Sequence, residues 1–354
     1  MDTSQDLFLR QVLTEGITAS ASDWHFTVGH FPIIKVNGEL RYLEDKGVIT
    51  AEFMIKLAEA LLTPLQREKL AKEREIILTY NFDKNLRFKI NLFYQKGFLS
   101  STFRYVPVTI VTLSQLGMPA AVKELIKLNR GLVIVSGAFG SGRTSTAASM
   151  IEEINVSRKK YIITIEDPIE YIFANKKSVI EQRQVGQDTN SYADALKYFQ
   201  EESGDVLFLE QLNSASIIPP VLEIARGSAL VITTMAADTC ARSLTAILDY
   251  FPAFDQDRIR DLLSGALKAV VCQKLLPKIG GGVVPVCEIL LVNDTVRATI
   301  ASGNLNQLDN IIATSRREGM ISFNQALGEA LRANLITYEE AQEHSPDPKG
   351  LGKN

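Results

Sequence analysis

Residues 132–157 constrain the fold more than any other stretch. A short apolar run, L-V-I-V, passes through the turn G-A-F-G-S-G-R-T at 137–144 into T-S-T-A-A-S-M-I-E-E-I, a helical pattern. Further apolar runs follow, Y-I-I-T-I, D-V-L-F-L and A-L-V-I-T-T, with helical patterns between them. Runs that are apolar at successive positions suit strands buried on both faces, and crossover helices then cover a largely parallel sheet. From about residue 119 the chain therefore reads as an α/β domain with a mainly parallel sheet, ending in a helical part. The turn fits the phosphate-loop pattern G-x-x-x-x-G-K-[ST] at Gly137, Gly140, Gly142 and Thr144, except that Arg143 replaces the lysine. Backbone N–H groups of such a turn, aimed together with a helix N-terminus, form a nest for anions. The expected phosphate contacts are Gly137, Gly140, Ser141, Gly142, Arg143, Thr144 and Ser145, with the Thr144 hydroxyl on Mg²⁺.

The first hundred residues have a different texture. F-P-I-I-K-V-N-G-E-L-R-Y-L predicts a hairpin turning at Asn37-Gly38. Residues 50–72 predict a helix capped by Thr50, with Phe53, Ile55, Leu57, Leu61 and Leu62 near helical spacing around Pro64. R-F-K-I-N-L-F-Y-Q and S-S-T-F-R-Y-V-P alternate as paired strands do. The expected organisation is an N-terminal domain at 1–106, a linker at 107–118, the α/β domain at 119–343 and a flexible tail at 344–354. With 354 residues, 46% of them hydrophobic, the chain can bury two cores. A net charge of −3 offers no basic footprint for nucleic acid. Cys240, Cys272 and Cys287 lack C-x-x-C spacing and read as buried thiols of a reducing compartment. No run approaches eighteen apolar residues and the start lacks a signal pattern, which predicts a cytoplasmic chain without a transmembrane segment.

Carboxylates end two of the apolar runs. I-I-T-I-E-D-P-I-E carries Glu166, Asp167 and Glu170, and D-V-L-F-L-E carries Glu210. Carboxylates at strand ends near a phosphate loop can hold Mg²⁺ through water or orient an attacking water. The blander reading, in which Glu166 and Asp167 only open a turn before Pro168, explains one feature and not the three together. His25, His30 and Trp24 read as structural residues.

The run T-I-E-D-P-I-E-Y, with Q-R-Q-V-G-Q-D-T and Y-A-D-A-L-K, resembles the PilT-type twitching-motility ATPases of the type II/type IV secretion ATPase superfamily. The likeness extends to S-D-W-H-F and F-K-I-N-L-F-Y-Q-K-G on one side, and to F-P-A-F-D-Q-D-R-I-R, L-K-A-V-V-C-Q-K-L-L-P and E-G-M-I-S-F-N-Q-A-L on the other. It implies a PAS-like α+β domain followed by a RecA-like P-loop NTPase domain, assembled as a homo- or hetero-hexameric ring that binds ATP or ADP with Mg²⁺. It also implies that Glu166 activates water, that Glu210 serves the Mg²⁺ site through water, and that Arg104 reaches the phosphates. Implied partners are a type IV pilus platform protein, at the cytoplasmic face of the inner membrane, and an intact paralogous pilus ATPase.

Departures from the family cluster at the chemistry. Its G-E-M-R-D is L-E-Q-L-N here, with Leu209, Leu212 and Asn213 for glycine, arginine and aspartate. Its T-L-H-T is T-M-A-A, so the histidine position holds Ala236; two arginine positions hold Lys89 and Lys96. Its A-I-R-N-L-I-R-E is T-V-R-A-T-I-A-S, which keeps only Arg297 of two arginines. Loss of one preorganised electrostatic group costs about 10²–10³ in rate. The expectation is an accessory nucleotide-binding subunit of pilus retraction or twitching motility with impaired or absent hydrolysis. The alternatives are a slow ATPase using Arg143 for the lysine, and a scaffold that binds no nucleotide.

Overall fold

The structure, a computed structural model, describes residues 3–36, 38–83 and 86–351. Asn37 and the last three residues of the expected tail lie outside the described residues. The chain divides into two units, Met1–Thr109 with Glu170–Ile172, and Ile110–Ile169 with Phe173–Asn354.

The first unit holds α1 (Thr3–Thr18), β1 (Ala21–Thr27), β2 (Ile33–Val36), β3 (Glu39–Tyr42), α2 (Ala51–Leu61), α3 (Pro64–Glu73), β4 (Glu75–Asp83), β5 (Leu86–Gln95) and β6 (Phe98–Val106). Its strands form one antiparallel sheet in the order β3-β2-β1-β6-β5-β4. Alternate residues face the core, so Phe88, Ile90 and Leu92 are buried while Lys89, Asn91 and Phe93 are only half-buried. Trp24 is fully buried; it donates from Nε1 to the Val12 carbonyl at 3.1 Å and meets Phe88 edge-on. The residues 50–72 make two helices. Thr50 caps α2 by accepting from the Phe53 amide, and Thr63 opens α3 with a reciprocal capping box to Gln66. Pro64 falls in the first turn of α3, where its missing N–H costs nothing. Met54 and Ala58 complete the buried face of α2, whereas Ile55 points to solvent. Helix α1 carries no strong sequence period, yet Leu9, Val12 and Leu13 are buried in this core.

The second unit holds α4 (Ala120–Leu125), β7 (Gly131–Gly137), α5 (Arg143–Ser157), β8 (Tyr161–Glu166), β9 (Val179–Gln184), α6 (Tyr192–Phe199), β10 (Val206–Leu209), α7 (Ile218–Arg226), β11 (Leu230–Ala236), α8 (Cys240–Asp249), α9 (Ala253–Ala266), β12 (Leu267–Pro277), β13 (Val283–Leu291), α10 (Asp294–Ser302), α11 (Leu308–Thr314), α12 (Phe323–Arg332) and α13 (Tyr338–His344). Its seven strands run in the order β13-β12-β7-β11-β10-β8-β9. All neighbours are parallel except β12 and β13, which form a hairpin across Gly280–Gly282. Every residue of β7 and β10 is buried, as their unbroken apolar runs require. Strand β9 lies at the edge and mixes exposed with buried positions, so it lacks that signature. Beyond His344 the polar segment is tied down as far as Leu351. Ser345 Oγ donates to Asn324 Oδ1, Asn324 Nδ2 donates to the Asp347 carbonyl, and Leu351 packs on the core.

Gly16 tests the packing of α1. A Cβ there would lie 2.3 Å from Trp24 Nε1. Trp24 is the one tryptophan of the chain, so its fluorescence reports the contact. Gly16→Ala is expected to red-shift that emission and to lower stability by about 1–3 kcal/mol, the usual penalty of overpacking. Emission and urea midpoint equal to wild type would contradict this packing.

Candidate functional site

The glycine-rich turn joins the end of β7 to the start of α5. Its glycines are required by close approach. A Cβ on Gly137 would lie 2.3 Å from Ser141 Oγ and 2.5 Å from the Gln273 carbonyl oxygen. Gly142 has φ +84° and would bring a Cβ to 3.0 Å from Gln273 Nε2. At Gly140 an added Cβ would meet nothing within 4 Å, so the outer side of the turn is open. The first N–H groups of α5 have no partner within the helix, and they face out of this end.

Gln273 holds the turn in place. It sits on β12, 1% exposed, donates from Nε2 to the Ser141 carbonyl and accepts from Thr146 Oγ1 at 2.9 Å. One side chain thereby joins the turn and the first turns of α5 to the neighbouring strand. Sequence reasoning missed it; the only signal was a polar residue inside the apolar run V-V-C-Q-K-L-L.

Arg143 is the first residue of α5 and Thr144 and Ser145 follow it, all three half-buried. Arg143 Nη1 is buried with no hydrogen-bond partner, and burial pushes the guanidinium below its usual pKa. A buried cationic nitrogen without an acceptor is costly, and an anion bound at the turn would relieve it. The open outer side at Gly140 and this orphaned nitrogen fit a phosphate group.

The two carboxylates end adjacent parallel strands. Glu166 closes β8 and Glu210 immediately follows β10, with Ile165 and Leu209 in register. Glu166 is 2% exposed; its Oε1 accepts from Thr164 Oγ1 at 2.6 Å and from Gln182 Nε2 at 3.2 Å. Gln182 in turn accepts from the Phe173 amide at 2.9 Å, so both ends of its side chain are engaged. Glu210 Oε2 accepts from the Asp167 amide and from the Tyr192 hydroxyl. Strand β11 lies between β10 and β7, and it places Ala236 in register with Gly137. Leu209 and Leu212 are buried in the core, and a cleft of about 280 Å³ beside them is bordered by Leu212, Asn213, Met235 and Ala236.

In the first unit, Arg104 stands on β6 in an ion pair with Asp23 at 2.9 Å. Lys89 pairs with Glu170 at 2.6 Å, and Arg87 donates to the Glu170 carbonyl. Glu170 is thus bound within that unit.

Gln273→Leu removes both bonds, leaves the Ser141 carbonyl without this donor and leaves Thr146 Oγ1 with the Met118 sulfur at 3.8 Å. The expected cost is about 1–3 kcal/mol, with faster amide exchange across residues 138–146. Exchange rates equal to wild type would show that the turn does not depend on Gln273.

Comparisons with known proteins agree with this geometry. The family described as "Type II/IV secretion system protein" matches residues 3–304. The type IV pilus retraction ATPase PilT of Pseudomonas aeruginosa is 30% identical over 347 residues, 97% of this chain and 99% of that protein. The type IV pilus ATPase PilU of the same organism is 31% identical over 336 residues, 95% and 88% of the two chains. A crystal structure of the pilus retraction motor PilT with bound ADP superposes with a TM-score of 0.85 at 36% identity, covering 97% of this chain and 98% of that one. The glycine-rich turn and the carboxylates at two adjacent strand ends therefore sit in a chain that belongs to the type II/IV secretion ATPase family, and is PilT-like within it.

Proposed function

We propose that this chain is a nucleotide-binding ring subunit of a type IV pilus or related secretion machine whose own ATP hydrolysis is impaired or absent. The observation that carries the reading is a contrast at one end of the sheet's strands. The turn at 137–142 keeps its tight glycines and its Gln273 clamp, while Ala236 stands in register beside it and Leu212 is buried. The phosphate nest is made by backbone and survives; the charged groups that would respond to the reaction are replaced by apolar ones.

In this reading the amides at Gly140, Gly142, Arg143 and Thr144 hold the phosphates, and Arg143 supplies a guanidinium to them. Magnesium, when bound, neutralises phosphate charge; Thr144 would ligate it directly and Glu210 through water. Glu166 would accept a proton from water, held by Thr164 and Gln182. Arginine carries the charge of lysine on a broader planar fork, so the exchange at 143 alters phosphate geometry as well as reach. A ring of six with an intact paralogous ATPase, docked on the pilus platform at the cytoplasmic face of the inner membrane, is the assembly that suits a subunit of this kind. Among the described residues no helix is long and apolar enough to cross a membrane. A slow ATPase using Arg143 is the second reading, favoured by the presence of both Glu166 and Glu210 at adjacent strand ends.

Steady-state phosphate release is expected near background, and Arg143→Lys alone should not raise it to vigorous turnover, because Ala236 and Leu212 remain. Robust release abolished by Glu166→Gln would install the second reading instead. Calorimetry should detect Mg-nucleotide binding that Gly142→Asp eliminates, since φ +84° and the 3.0 Å approach to Gln273 leave no room for the side chain. No heat with wild type, for either ATP or ADP, would leave only a scaffold role.

A further inference from the structure

The structure assigns Tyr192 a role as the positioning residue of the magnesium-side carboxylate, holding Glu210 through its hydroxyl. The assignment rests on the nucleotide-binding reading above. Helix α6 begins at Tyr192 because Ser191 caps it, accepting from the Asp194 amide at 3.0 Å. That cap fixes the phenol against the end of β10. Its hydroxyl donates to Glu210 Oε2 at 3.2 Å, and the Asp167 amide donates to the same oxygen. Two donors from two segments, one leaving β8 and one opening α6, converge on one carboxylate oxygen. The backbone of Glu210 is held as well, its amide donating to the Ile165 carbonyl at 3.0 Å and its carbonyl accepting from Thr234 Oγ1 at 2.6 Å.

The same place gathers three carboxylates. Glu210, Asp167 and Glu166 all face the Tyr192 phenol. Like charges crowded at two strand ends repel, and a neutral donor that captures one carboxylate fixes its rotamer without adding a charge. A phenylalanine would fill the space of the ring and lack the donor. Glu210 would then keep one of these two donors and swing more freely, so a cation held through its water would be less well placed.

The test uses the full chain and titrates ADP by calorimetry in excess Mg²⁺ and again in EDTA. Tyr192→Phe is expected to weaken Mg-ADP binding about tenfold, the loss of roughly one hydrogen bond to a charged group. Binding in EDTA should change less than about twofold, because the backbone nest is untouched. In a Glu210→Ala background the same substitution should have no further effect on either affinity. An unchanged ratio of the two affinities, or an equal fall in both, would overturn the positioning role while leaving nucleotide binding intact. A wild type that binds ADP in neither buffer would overturn the reading on which the role depends, and the role with it.

Discussion

The Gln273 side chain reaches from β12 to the Ser141 carbonyl and to Thr146 Oγ1, and that bridge ties the glycine-rich turn to the neighbouring strand. The turn passes so close to β12 that Gly137 has no space for a Cβ, while Gly142 combines a φ of +84° with a tight 3.0 Å approach to Gln273 Nε2. Such closeness brings a buried carbonyl and a buried hydroxyl next to an apolar strand, where unpaired polar groups are costly. One amide, with a donor at one end and an acceptor at the other, answers both.

This arrangement separates two properties that are easily taken as one. In the proposed reading, anion binding at the turn comes from backbone direction, and the buried sheet supports it. Strands β7, β10 and β11 are buried almost throughout and their register is unbroken, so they fix where the turn begins whatever occupies the strand ends. Catalysis by contrast needs charge placed where the reaction develops it. At those ends Ala236 and Leu212 are apolar, and Leu212 is folded into the core. Arg143 falls between the two cases: its charge remains, but Nη1 is buried without a partner.

The parts legible in the sequence were those written as uninterrupted local patterns. The unbroken runs at 132–135, 161–165 and 206–209 identified central strands, and the glycine spacing located the turn between β7 and α5. Glu166 and Glu210 were legible because each directly ends such a run. What was not legible depended on contacts distant in sequence. Gln273 lies 132 positions from Ser141. Tyr192 lies 18 positions from Glu210 and meets it only through the fold. Helix α1 escaped notice although its buried side chains Leu9, Val12 and Leu13 stand at helical spacing, because the exposed Leu7 beside them blurs the apolar face. The division of 50–72 into two helices was signalled by Thr63, Pro64 and Gln66, but it takes the observed capping box to show that Thr63 starts a new helix.

The central claim is that the turn binds nucleotide which the strand ends no longer process. It is tested most directly by the identity of nucleotide held on the protein. The purified full chain is loaded with ATP and Mg²⁺, freed of excess nucleotide, held for hours at working temperature and quenched in acid. The account predicts that the nucleotide recovered from the protein is intact ATP. Recovery of ADP in stoichiometric amount, with Glu166→Gln preserving the ATP, would contradict it.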